Sequence, residues 1–267
     1  LYTPFGIAGV ETLGYEIAMQ CREKYGKDPD VVVCTNAGGG NLTGTARGLI
    51  KAGAESQIVA ASVNLKGLHM ASDEQFNKKS FTTGHTGFGI PFTTWPDRSD
   101  VPRSAARPMR YMDRYVTVTQ GSVFYMTESL ASLEGLEKGP AGNTALAAAF
   151  ALAQEMDQDQ MILVQETEYT GAGKHIQPQL AFAKENGIEV VFGDPSDEVP
   201  GKNIVLPAHP SMIRVKDSDM AKLRKSLIKN ALEMTGKVPT DEDIEFLAKE
   251  TKSDVEFVKN AISELQK

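Results

Sequence analysis

A β-branched run that breaks into consecutive glycines and leaves as a helix constrains this chain more than any other feature. In VVVCTNAGGGNLTGTARGLIKAG, Val31 to Gly53, the strand-like segment Val31–Thr35 passes through Gly38, Gly39 and Gly40 into an Ala/Leu/Ile pattern of helical period. Glycine removes Cβ atoms, so backbone N–H groups can converge on one point and take positive φ where needed. The helix that follows turns its unpaired first-turn donors and its positive dipole end to the same place. Asn41 and Thr43 add side-chain donors at the lip. The spacing is not a dinucleotide fingerprint, because Gly38-Gly39-Gly40 followed by Gly44 lacks the G-x-G-x-x-G register. It is not a Walker loop either, since no Lys follows a glycine at the helix start. Taken alone, the corner reads equally as a bare strand-to-helix turn or as an anion cradle.

The rest of the chain alternates helix and strand, which predicts an α/β fold with an open, mostly parallel sheet and helices on both faces. The apolar periodicity predicts a helix over Val10–Tyr25, then the strand Val31–Thr35, a helix from Thr43 to Lys51 and a buried strand Ile58–Val63. A long glycine-rich and aromatic-rich loop spans Phe76–Arg110. Strands follow at Tyr115–Val118, Gln160–Val164 and Ile188–Phe192, with helices at Ser122–Leu133, Asn143–Met156 and Gln177–Asn186. Beyond Asp217 the pattern becomes charged and helical, and Thr240 with Asp243 and Ser253 with Glu256 are N-cap signatures. Two units are expected, an α/β domain over 1–207 and a helical extension over 208–267.

Composition narrows the partners. With 24% charged residues and a net charge of −7, the 267-residue chain offers no basic face for nucleic acid. No apolar run approaches the ~20 residues of a membrane span. Cys21 and Cys34 form no disulfide framework and have no metal-ligand spacing to another Cys or a His, which fits a reducing cytoplasm. The sequence opens at Leu1, already inside a helical pattern, and reads as a fragment or processed product.

Other segments could join the glycine corner. Glu134-Gly135-Leu136 ends one helix, and GPAGNTALAAAF, Gly139–Phe150, begins another with Asn143 or Thr144 as its cap. Past the strand Gln160–Val164, QETEYTGAGKH supplies Thr167 and Thr170 as hydrogen-bond donors, each otherwise a turn residue. GHTGFGIPF, Gly84–Phe92, has glycines that allow close approach to a flat ligand and a histidine, His85, able to move a proton. Each segment alone reads more readily as a surface loop, a turn or a solvated helix end.

In this order, ETLGYEIAMQC, VVVCTNAGGGNLTG, GFGIPF, LASLEGLEKGPAGNTALAAA and TEYTGAGK resemble the fold-type II pyridoxal-phosphate enzymes, among them cysteine synthase, threonine synthase and the tryptophan synthase β chain. The resemblance runs from about Thr3 to Gly193. NAGGGNLTGTARGLIKAGA, FNKKSFTT and ETEYTGAGKHIQPQLAFA are more closely similar to a family of thiolase β subunits in anaerobic ornithine breakdown. That family cleaves 2-amino-4-oxopentanoate with coenzyme A to alanine and acetyl-CoA, and works with a small α subunit in a hetero-oligomer. The resemblance implies pyridoxal 5'-phosphate as cofactor, with Gly38, Gly39, Gly40, Asn41 and Thr43 at its phosphate and Glu134 and Gly135 beside its ring. Either Thr167 or Thr170 takes the family's place at the pyridine nitrogen. Arg47, Arg103, Arg107 and Arg110 are candidates for coenzyme A phosphates.

One departure limits the resemblance. The family's Schiff-base lysine and its asparagine loop lie well upstream of the phosphate loop, and only 37 residues precede Gly38 here. Lys174 lies at the wrong place in the pattern. The expectation is a chain that supplies the phosphate cradle and is inactive by itself. A threonine-synthase-like lyase or β-replacement enzyme, and a non-catalytic interaction module, are the competing readings.

Overall fold

The computed structural model describes residues 4–36, 39–64, 108–166, 176–185, 187–199 and 202–265. Helix α1 (Pro4–Tyr25) leads into β1 (Val31–Thr35), α2 (Gly40–Lys51) and β2 (Gln57–Val63). Next come β3 (Arg114–Val118), α3 (Gln120–Glu134), α4 (Pro140–Ala153), β4 (Ile162–Gln165), α5 (Ile176–Glu185), β5 (Glu189–Gly193) and β6 (Asn203–Pro207). A short β7 (Lys216–Asp217) precedes α6 (Met220–Thr235), α7 (Asp241–Thr251) and α8 (Val255–Leu265).

The main sheet has the order β4-β1-β2-β3-β7, parallel except for β7, and β5 and β6 form a separate parallel pair. This is the expected open, mostly parallel α/β architecture. Its strands are apolar on both faces because both are covered. On one face Val32, Cys34, Ile58, Ala60 and Tyr115 lie beneath Leu42, Ala46 and Leu49 of α2. On the other, Val33, Val59, Ala61, Val116 and Val118 pack against Ala145, Ala148 and Leu152 of α4.

Three expectations at element ends are corrected. Helix α4 begins at Pro140 with Gly139 as N-cap, so neither Asn143 nor Thr144 caps it. Proline at the first helical position has no N–H to satisfy and already holds a helical φ. Helix α8 is capped by Asp254, whose Oδ1 accepts from Phe257 N at 2.6 Å, while Ser253 Oγ bonds Thr251 Oγ1 at 2.7 Å. Helix α2 starts at Gly40 rather than Thr43. Thr240 and Asp243 do form the expected reciprocal capping box.

One strand carries no obvious sequence signal. β7 is two exposed charged residues, held to β3 by a fork from Arg114 Nε and Nη2 onto the Asp217 carboxylate at 2.5 and 2.8 Å. The C-terminal helices share a core of Ile228, Leu247, Val258 and Ile262. Leu223 of α6, 1% exposed, also enters the core beneath α2.

The β5–β6 pair is tied to α3 by one part-buried carboxylate. Glu198 accepts from Gln120 N at 2.7 Å, Gly121 N at 2.8 Å and Val205 N at 3.2 Å, closing the start of α3 onto β6. Burial pushes its carboxyl up to about 7, against the pull of those three N–H bonds. A carboxyl whose folded pKa is raised holds its proton better in the folded than in the unfolded chain. Its contribution to stability is therefore largest at acid pH, falls as pH rises from about 4.5 to about 7, and is flat above. The drop is about 3 kcal/mol at full effect. Chemical denaturation across this range should show the slope in the parent and lose it in Glu198→Gln, which does not titrate; equal slopes in both would refute the assignment.

Candidate functional site

The strand order identifies where a ligand can sit. From β1 the chain crosses through α2 to β2 and β3, then returns through α3 and α4 to β4 on the other side of β1. The carboxyl ends of β1 and β4 thus flank the switch point of the sheet, where open parallel folds place ligands.

At the end of β1, Gly39 is the N-cap of α2 with φ 76° and ψ −6°, a left-handed conformation that glycine adopts without strain. No side chain caps the helix. The first-turn amides of Gly40, Asn41 and Leu42 have no acceptor inside a helix, so they form a donor set facing outward along the helix axis. The arrangement fits a phosphate: donors that no side chain among the described residues caps, a positive dipole end, and no Cβ at positions 39 and 40. Asn41 is half-buried at this rim. Thr43 is buried, and its Oγ1 donates to Gly39 O at 2.6 Å, directing the hydroxyl into the turn rather than outward. It braces the loop.

Helix α4 presents its own N-terminus to the opposite face of β1. Thr35 Oγ1 donates to Gly142 O and accepts from Ala145 N, both at 3.1 Å, pinning the first turn of α4 to the strand end. Within that turn Asn143 Nδ2 donates to Thr127 Oγ1 of α3 at 3.1 Å. Glu134 and Gly135 lie exposed where α3 ends, with Gly135 at φ 66° donating to Ala131 O and Leu136 N reaching Leu130 O. This is a glycine-terminated helix end on the loop that leads into α4.

Gly38, His85, Thr167, Thr170, Arg103, Arg107 and Lys174 lie outside the described residues. Arg47 is engaged elsewhere than the proposed coenzyme A role: its Nε pairs with Glu11 at 2.7 Å, and Lys51 pairs with the same carboxylate. Lys51 foremost, with Arg47, holds that buried carboxyl below the usual range. Arg110 likewise pairs with Glu250 at 2.8 Å. Cys34, one residue before the strand's end, is fully buried and its thiol is pushed up to about 12 by burial, which leaves it inert as a nucleophile. Among the described residues no group of acids, histidines and cysteines could hold a metal ion, and no helix is long and apolar enough to cross a membrane.

A feature that sequence patterns did not signal lies just beneath the cradle. Asn36, directly after β1, meets Ser62 of β2 and Tyr115 of β3, which brings polar groups together on the α2 face. Their meeting depends on strand register alone.

An open parallel sheet with a glycine-led, uncapped helix start at its switch point suits an enzyme that anchors a phosphorylated cofactor, and the family model for pyridoxal-phosphate dependent enzymes matches residues 1–167. The chain belongs to that family, whose cofactor is pyridoxal phosphate. Over all its 267 residues it is 77% identical to the 2-amino-4-ketopentanoate thiolase beta subunit of Acetoanaerobium sticklandii, spanning 57% of that relative. A 2-amino-4-ketopentanoate thiolase beta subunit from an unknown prokaryotic organism is 63% identical, with 99% of this chain and 57% of that relative covered. Among solved structures, the processed form of threonine deaminase isoform 2 from Solanum lycopersicum aligns with a TM-score of 0.47 at 15% identity, covering 67% of this chain and 49% of that one. The chain thus spans little more than half the length of the curated relatives it matches.

Proposed function

We propose that this chain is part of a thiolase β subunit that cleaves 2-amino-4-oxopentanoate with coenzyme A, giving alanine and acetyl-CoA, in a hetero-oligomer with a small α subunit. The observation that carries the reading is the uncapped, glycine-led start of α2 at the end of β1, in a chain 77% identical to a subunit so named. Residues 1–207 are the cofactor-binding unit in this reading and 208–267 the helical extension.

The residues divide the work by position. Gly39 turns the backbone so that the amides of Gly40, Asn41 and Leu42 face one point, and Thr43 fixes that turn through the Gly39 carbonyl. Gly38 completes the cradle. Thr35 holds α4 against the same strand end, and in this reading Glu134 and Gly135, on the loop that leads into α4, lie beside the cofactor ring. Thr167 or Thr170 supplies a neutral hydroxyl to the pyridine nitrogen. Pyridoxal phosphate, when bound, supplies the electron sink that cleavage of the substrate Cα–Cβ bond requires. This chain by itself is inactive in the reading, because the family's Schiff-base lysine cannot be placed in it.

Assay of the full-length subunit with its partner tests the proposal. Acetyl-CoA should form from 2-amino-4-oxopentanoate and coenzyme A, and not with this chain alone. Activity on O-phosphohomoserine with none toward coenzyme A would instead make it a threonine-synthase-like enzyme. No activity and no retained pyridoxal phosphate would favour an interaction module.

A further inference from the structure

At the end of the sheet away from the cradle lies a groove that the proposed cofactor site does not use. About 1170 Å³ of open volume separates the end of α2 and the residues just before β3 from the turn between α7 and α8. Ile50, Tyr111 and Phe257 give it an apolar lining, and Ile50 is 60% exposed there. Among the described residues, Arg110, Arg224, Lys249 and Lys252 line it against the acids Glu245 and Asp254. Four cations to two acids reverses the balance of a chain whose net charge is −7.

Two of the cations brace the walls. Lys252, which ends α7, is the one non-glycine with positive φ among the described residues, at 48°. Its Nζ donates to Tyr111 O at 3.2 Å and pairs with the Asp113 carboxylate. Arg110 pairs with Glu250 of α7 at 2.8 Å. These contacts tie α7 to the start of β3, so the groove is shaped before a ligand arrives and binding need not supply that ordering. The other two cations have charge to spare. Lys249 has no ion-pair partner among the described residues, and the guanidinium of Arg224 spends only Nε, on Thr251 O at 2.9 Å. Of the acids, Asp254 turns Oδ1 to Phe257 N as the cap of α8.

A concave, largely apolar site with a few convergent charges is the usual form of a small-molecule site. Aromatic side chains take the flat face of a base, and Arg and Lys take phosphate oxygens. We propose that this groove binds a nucleoside phosphate, with Tyr111 against the base and Arg224 and Lys249 on the phosphates. The site is separate from the cradle: α2 carries Gly40 at one end and Ile50 near the other, about 15 Å apart along the helix.

The test is calorimetric titration of the full-length subunit with its cradle filled by pyridoxal phosphate, which keeps phosphate probes out of that site. ADP should bind, and adenosine and pyrophosphate should each bind about tenfold more weakly, since each keeps only part of the recognition. Lys249→Glu and Tyr111→Ala should each weaken ADP about tenfold, while Tyr111→Phe, which keeps the ring, should bind as the parent does. Glu245→Gln should tighten ADP about threefold by removing a like charge, an effect that damage to the fold would not produce. Pyridoxal phosphate retention should be the same in all of these variants. Adenosine 3',5'-bisphosphate and coenzyme A binding more tightly than ADP would make the occupant the nucleotide end of coenzyme A; ADP binding as tightly as either would make it a free nucleotide. Pyrophosphate binding as tightly as ADP, or an ADP affinity unmoved by both Lys249→Glu and Glu245→Gln, overturns the proposal.

Discussion

Asn41→Asp should cost the full-length subunit its hold on pyridoxal phosphate while leaving α2 as stable as before or more so. The position is half-buried in the first turn of α2, on the rim of the donor set. A carboxylate there is welcome to the helix itself, since it complements the positive dipole end by about 0.3–1 kcal/mol. It is unwelcome to a second anion. Two like charges about 6 Å apart repel by about 3 kcal/mol at an effective dielectric near 20, and a phosphate monoester carries close to two. The expected loss of affinity is therefore a hundredfold or more. Thermal unfolding without cofactor and fluorescence titration with it make the separation visible: an unchanged or raised melting temperature beside a collapsed affinity. A variant that binds as tightly as the parent would remove α2 from the site. Gly39→Val should also abolish retention. Its reading is less clean, because a β-branched residue at φ 76° is strained whatever occupies the space.

How much of this was legible before the structure depends on whether a feature is local. Strands β1 and β2 were readable because a strand buried on both faces is a continuous apolar run. The glycine corner was readable as the turn from β1 into α2, because glycine takes the left-handed φ found at Gly39 without strain, though alone it fitted a bare turn as well as an anion cradle. Strand β7 was not, since two charged residues become a strand only when Arg114 grips Asp217 across the sheet. The cap of α4 was misassigned because Asn143 and Thr144 look like caps but lie inside the first turn, behind Pro140. The pairing of Arg47 with Glu11 was hidden for a related reason: the two sit on different helices, and no spacing rule connects them. The meeting of Asn36 with Tyr115 is the extreme case, set by the register of β1 on β2 and of β2 on β3.

The same distinction governs the second large effect, Gly48→Ala, which should unsettle the core and the site together. In isolation this change favours the helix by about 1 kcal/mol. In the folded chain α1 and α2 touch backbone to backbone. A Cβ at position 48 would lie 2.1 Å from Glu11 O and 2.6 Å from Tyr15 N, and one at position 14 would lie 2.0 Å from Thr45 O. These are main-chain atoms that cannot rotate away, so the helices must separate. Overpacking of this kind costs about 3 kcal/mol or more, which outweighs the propensity gain and lowers the melting temperature by roughly 4–8 °C at about 2–4 °C per net kcal/mol. Because α2 carries Gly40, Asn41 and Leu42 on its first turn, the displacement also moves the donor set, and pyridoxal phosphate affinity should fall with stability. Gly9→Ala supplies the contrast: that glycine lies in α1 with nothing among the described residues within 4 Å of the added Cβ, so the same substitution should stabilise by up to about 1 kcal/mol. Equal melting temperatures for the two variants would mean that the close crossing of α1 on α2 does not position the cradle.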